Sequence, residues 1–156
     1  MINGHILKNG LLLFVKDCNY LADLVSREDK NCPYTHVGII YNEGVIHSQT
    51  DKNGGGTVKL ENIKTFLKDI NIYGLYIPLV DRSVMLKASI KAASYIGRPF
   101  DSSYTLKNDD AVYCTELIWR SYLYTGFDLV ESRIKNINFF MRERQTIIHY
   151  YYFFVV

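Results

Sequence analysis

The run from Val37 to Gln49 constrains what this chain can fold into more than any other segment. Val37 to Tyr41 is rich in β-branched and aromatic residues, Asn42-Glu43-Gly44 is a turn signal, and Val45 to Gln49 returns in the same character. Two such arms around a short polar turn read as a β-hairpin. Leu11 to Lys16 before it and Thr57 to Leu60 after it read as shorter strands, and Ile70 to Val80 as the longest strand. Helical spacing appears later. Glu61 to Lys68 places Ile63, Phe66 and Leu67 on one side, and Arg82 to Ile96 aligns Val84, Ala88, Ala92 and Ile96. Asp81 is the expected N-cap of that second helix, and Gly97 and Pro99 end it. A third helix opens at Cys114, aligns Leu117, Ile118, Ser121, Tyr122 and Thr125, and closes at Gly126. Asn19 to Glu28 reads as helical or irregular, Asp29 to Pro33 as a loop, and the chain after Thr146 as a final strand. Strands gathered early, helices late, and no βαβ rhythm predict an α+β fold with an antiparallel sheet. A single domain over 1–156 is expected.

Composition narrows the function classes. The 156 residues are 48% apolar and 22% charged, ordinary for a globular chain. A net charge of +2 gives no electrostatic reason to expect nucleic acid as a partner. The opening segment lacks the charged n-region and apolar h-region of a secretory signal, which makes a cytoplasmic location the default expectation, with a mature exported form as the alternative. No apolar stretch approaches the ~20 residues of a membrane helix. Aromatic residues are the one excess, at 14% with thirteen Tyr. Packing accounts for most of them, with some left to line a substrate groove.

The three cysteines, Cys18, Cys32 and Cys114, cannot all pair within one chain, so a disulfide framework is not expected. Cys114 stands apart because it falls at the start of a helix, where backbone N–H groups and the helix dipole favour a thiolate. A thiolate nucleophile needs a base, and His5, His36, His47 and His149 are the candidates. His36 and His47 fall on or beside the two arms of the hairpin, giving the general thiol–imidazole arrangement. A free cysteine on an apolar helix face is more often a small buried hydrophobe, so spacing alone leaves the function open.

Three motifs supply what spacing does not. Thr35-His36-Val37-Gly38-Ile39-Ile40-Tyr41 resembles the "HVGI" histidine strand of NlpC-type cysteine peptidases. Tyr113-Cys114-Thr115-Glu116-Leu117-Ile118 resembles the "YCSELV" nucleophile block of their circularly permuted YiiX-like branch, and Tyr95-Ile96-Gly97-Arg98-Pro99-Phe100-Asp101 that branch's "YLGKPYD" segment. Asn9-Gly10-Leu11-Leu12-Leu13-Phe14 is similar to its first strand, commonly "GDI". The order, His before Cys, reverses that of papain and marks the permutation. The resemblance covers about Gly10 to Thr125. It implies a permuted papain-like fold, an antiparallel sheet or barrel packed against the helix that carries the nucleophile. It also implies Cys114 as nucleophile, His36 as general base, and a third polar residue on the following strand. That third position falls at His47, where close relatives carry Glu. A neutral imidazole can orient its neighbour but stabilises imidazolium less than a carboxylate does.

Strand register bears on His47. A two-residue turn at Glu43-Gly44 sets residue 47 opposite 40, so His36 and His47 share a face but stand four residues apart, about 13 Å. Asp51 then faces His36, or Gln49 approaches it diagonally. A turn nearer Tyr41-Asn42 brings the two imidazoles together.

Around this centre, Tyr113 and Tyr104 are candidate oxyanion or substrate contacts. So is Glu116, whose place in the first helical turn also suits the dipole. Asp101, Asp109 and Asp110 lack metal-ligand spacing and read as solvated loop carboxylates, so no metal and no cofactor is expected. Gly54-Gly55-Gly56 lacks the Lys and Ser/Thr of a phosphate loop and reads as a flap. The resemblance implies a cysteine-dependent hydrolase cleaving an amide through an acyl-thioester, on a cell-wall peptide or an amino-acid amide. The alternatives are an acyl-lipid hydrolase or acyltransferase using the same pair, and an inactive binding module.

Overall fold

A computed structural model describes residues 7–16, 34–51, 55–106 and 110–129. The elements run β1 (Leu12–Val15), β2 (His36–Tyr41), β3 (Gly44–Thr50), β4 (Gly56–Asn62), α1 (Ile63–Phe66), β5 (Tyr73–Tyr76), α2 (Arg82–Ala93) and α3 (Cys114–Leu123). The strands form one sheet in the order β4-β3-β2-β1-β5, each neighbour antiparallel. Among the described residues it is an open sheet with β4 and β5 at its edges, not a closed barrel.

Strand alternation sorts the apolar residues onto two faces. Leu12, Phe14, Val37, Ile39, Ile46 and Val58 pack with α2 and α3 through Ala88, Ala92, Leu117, Ile118 and Tyr122. Leu13, Val15, Ile40 and Val45 pack on the other face with Ile63 and Phe66 of α1. The Tyr122 hydroxyl donates to the Gly10 carbonyl at 2.6 Å, tying α3 to the approach to β1. Part of the tyrosine excess is explained here. Tyr95, Tyr113 and Tyr122 are buried, and Tyr34 and Tyr76 form an edge-to-face cluster with Phe14.

Three expectations shift. The helical reading of Glu61 to Lys68 begins too early, because β4 continues to Asn62, whose side chain accepts from Lys64 N–H at 2.9 Å and starts the single turn of α1. Ile70 to Val80 is not the longest strand. Only Tyr73–Tyr76 pairs, Pro78 has no N–H to offer a ladder, and Ile77 and Leu79 stand exposed. Among the described residues the longest strands are β3 and β4, seven residues each. In α2 the Asp81 side chain makes no capping bond, although its carbonyl accepts from Val84 and Met85. The helix ends at Ala93 and turns lead to Gly97 at φ 90°, the left-handed conformation expected past a helix end. The readings of Asn19 to Glu28, Asp29 to Pro33 and the chain after Thr146 lie outside the described residues.

Candidate active site

The β2–β3 turn decides the geometry of the histidines. Asn42 and Glu43 both take positive φ, 45° and 65°, and Tyr41 pairs with Gly44, so the two-residue turn lies one residue earlier than Glu43-Gly44. Continuing the register sets His47 beside Gly38, one diagonal step from His36. A Cβ at position 38 would stand 3.2 Å from the His47 Cβ and would overlap the Val45 side chain. The missing side chain of Gly38 thus leaves room for two imidazoles on one face. His36 Nε2 and His47 Nδ1 meet at 2.9 Å, and both rings pack on Phe66, with centroids 5.8 and 4.8 Å away.

Glu61, which sequence reasoning placed on a helix, completes the array. In the β3–β4 ladder Val45 pairs with Glu61 and His47 with Lys59, so Glu61 stands diagonal to His47 on the same face. Its Oε2 is 3.3 Å from His47 Nε2, off the line of a full hydrogen bond, and its Oε1 is 3.0 Å from Lys59 Nζ. Glu61 thus sits one strand farther from His36 than His47 does. Only the pairing of β4 with β3 reveals it. Neither Gln49 nor Asp51 takes the place of His47 at the His36 ring: His47 makes that contact, and Asp51 accepts from Gly55 N–H at 2.9 Å.

Burial governs the protonation of both rings. It lowers the His36 pKa well below 6.5, with the neighbouring His47 and Lys59 acting in the same direction and Glu61 opposing. It lowers His47 to about 3, with Lys59 adding to the effect. At neutral pH both imidazoles are uncharged. Their hydrogen bond is therefore a question of tautomer. Beside them lies a cleft of about 240 Å³, whose polar lining includes Gln49, Thr65 and Lys68.

Cys114 occupies the first turn of α3, as its sequence position predicts. The first bond inside the helix runs from Leu117 N–H to the Tyr113 carbonyl at 2.9 Å, so the N–H groups ahead of Leu117 point out of the helix start. The thiol is buried in the cluster with Val37, Ile39 and Ile46. These residues alternate with His36 and His47 along the strands, so α3 and the histidine pair pack on opposite faces of the β2–β3 ribbon. The approach to α3 is held by the Ser48 hydroxyl, which donates to the Val112 carbonyl at 2.6 Å.

The remaining candidates gather around Cys114. Tyr104 adopts φ 52°, with its ring 5.4 Å from that of Tyr113. Burial, then negative charge at Cys114 and Asp101, raises its pKa to about 12. The loop carrying Tyr104 is built on Asp101, whose carboxylate accepts from Ser103 N–H and Thr105 N–H, both at 2.9 Å, and from the Ser103 hydroxyl at 2.5 Å. Burial pushes that carboxyl up, yet these donors outweigh it and hold the pKa low. Asp101 is thus a loop organiser, not a freely solvated carboxylate. Glu116 is fully buried and engaged with its own helix, accepting from Arg120 Nε at 2.7 Å and from Tyr113 N–H at 3.4 Å. Burial raises its pKa against the pull of Arg120. Beside Cys114, the buried Thr115 hydroxyl has no hydrogen-bond partner among the described residues, a feature without a sequence signal. Among those residues no group of three His, Cys, Asp or Glu side chains is placed to hold a metal ion, and no helix is long and apolar enough to cross a membrane. Cys18, Cys32, His5 and His149 lie outside the described residues, as do Asp109 and Gly54.

Residues 6–147 match the family of permuted papain-like amidase enzymes, YaeF/YiiX, the C92 family. Among solved structures, the chain is similar to the metalloprotein YiiX of Escherichia coli O157:H7, with a TM-score of 0.66 and 20% identity over 78% of this chain and 68% of that one. No curated protein matches the sequence.

Proposed function

The chain belongs to the permuted papain-like amidase family, a family of cysteine peptidases and amidases, and from that premise we propose that it hydrolyses an amino-acid-containing amide, such as a cell-wall peptide, with Cys114 as nucleophile. The observation that carries this reading is the Cys114 thiol in the first turn of α3, where outward-pointing amides favour a thiolate and can receive an oxyanion. His36 is the base. It takes the thiol proton, and the sulfur attacks the amide carbon to form a tetrahedral oxyanion. The C–N bond then breaks as the imidazolium returns its proton to the leaving amine. Water, deprotonated by His36, attacks the acyl-thioester to release the acid and restore the thiol.

Because the β2–β3 ribbon separates the thiol cluster from the imidazole pair, the critical test is whether the two groups are coupled in solution. Alkylation of Cys114 is measured against pH in the wild type and in His36→Ala. Coupling predicts that the variant's thiol titrates at a higher pH and reacts at least tenfold more slowly at pH 6. Identical profiles overturn His36 as the partner. Cys114→Ala should abolish both probe labelling and amide hydrolysis; labelling that moves to Cys18 or Cys32 with activity retained would overturn the nucleophile.

A further inference from the structure

We propose that Glu61 is a positioning residue that sets which nitrogens of His47 and His36 carry protons, an inference that rests on the hydrolase reading above. Each neutral imidazole has one N–H, and the His36 Nε2–His47 Nδ1 contact allows two arrangements. In the first, His47 holds its proton on Nε2, 3.3 Å from Glu61 Oε2, and its bare Nδ1 accepts from His36 Nε2–H. The Nδ1 of His36 is then bare and able to take a proton. In the second, His47 donates from Nδ1 to His36 Nε2. His36 must then carry its proton on Nδ1, which removes its basic nitrogen, and the bare Nε2 of His47 faces a carboxylate oxygen at 3.3 Å.

A bare nitrogen 3.3 Å from a carboxylate oxygen in a buried setting is repelled by it, whereas an N–H there is attracted, so the Glu61 carboxylate selects the first arrangement. Lys59 Nζ holds the other carboxylate oxygen at 3.0 Å. The carboxylate is thereby held between one ammonium and one imidazole. The cleft's remaining charged group, Lys68, is exposed. Proton selection thus passes along β4, β3 and β2 in turn, from Glu61 to His47 to His36. The carboxylate acts on His36 through an intervening imidazole.

Long-range proton–nitrogen NMR spectra of the full chain report both tautomers. They are recorded in a Cys114→Ala background so that the readout does not depend on the role of the thiol. With Glu61 present, both rings should carry the proton on Nε2. In Glu61→Ala the Nδ1–H forms should rise to a major population, and Glu61→Gln, whose amide oxygen still accepts, should restore the Nε2–H forms. Glu61 is 21% exposed on an edge strand. Should Glu61→Ala fold poorly, Glu61→Thr keeps a strong strand former with a side chain too short to reach His47, and the same shift is expected. Unchanged tautomers in either shortened variant overturn the proposal. Failure of the alkylation test with these tautomer shifts intact would remove the hydrolase assignment and leave the Glu61 relay standing.

Discussion

His36 Nε2 lies 2.9 Å from His47 Nδ1, two buried imidazoles joined across the β2–β3 hairpin. The contact exists because Asn42 and Glu43 form the turn, which moves His47 from opposite residue 40 to beside residue 38. It also depends on Gly38, the one position between the rings that carries no side chain. Each prediction below follows from a residue that creates or holds this arrangement or the thiol helix opposite it.

Gly38→Ala should destabilise the fold by about 1–3 kcal/mol, the usual cost of forcing a methyl into a packed site. The added Cβ would overlap the Val45 side chain and press to 3.1 Å on the Ile46 carbonyl and 3.2 Å on the His47 Cβ. Urea unfolding measures the loss. A midpoint equal to that of the wild type would show that the hairpin can spread at no cost, and that Gly38 does not hold the rings together.

Acid should unfold the protein through the imidazoles. Folded His47 titrates at about 3 and unfolded His47 near 6.5, so below pH 6.5 the unfolded chain binds a proton that the folded chain refuses. The sign follows directly: stability is full above pH 6.5 and falls as pH drops, until folded His47 protonates near pH 3. The slope approaches about 1.4 kcal/mol per pH unit for this group. Burial shifts His36 in the same direction, so it adds to the loss. Unfolding free energies from pH 7.5 to 4.5 should fall more steeply for the wild type than for His47→Gln. Parallel curves would contradict the assignment of a buried, neutral His47.

Ser48→Ala should cost about 1–3 kcal/mol, the penalty for leaving a buried carbonyl without its donor. The lost bond is the one from Ser48 to Val112, two residues before Cys114. With that tether gone, a neutral thiol reagent should alkylate the buried Cys114 several-fold faster. Unchanged stability together with an unchanged labelling rate would show that Ser48 does not hold the helix start against the sheet.

Much of this arrangement is legible locally. The arms of the hairpin declare themselves by β-branched residues on either side of a polar turn. The third helix declares itself by the apolar spacing after Cys114 and by Gly126, which takes φ 84° past its end. The family motifs around His36 and Cys114 identify a permuted papain-like amidase, as the match over residues 6–147 shows. These signals survive in the sequence because each depends on a few neighbouring residues.

What local pattern did not determine is decided by pairing between distant strands. Glu43 has no propensity for positive φ, yet its place in the turn sets the register that joins His36 to His47. Ile63, Phe66 and Leu67 have helical spacing, and that spacing drew Glu61 into a helix. The ladder with β3 instead keeps it extended and sets it against His47. Strand alternation, applied across a sheet with α2 and α3 on one face and Phe66 of α1 on the other, decides that the imidazoles and the thiol pack on opposite faces. The sequence by itself determined the β2–β3 hairpin, the helix that opens at Cys114 and the family. Register and facing were left to the tertiary structure, because a shift of one residue at a turn repositions every side chain beyond it and leaves no mark on local composition.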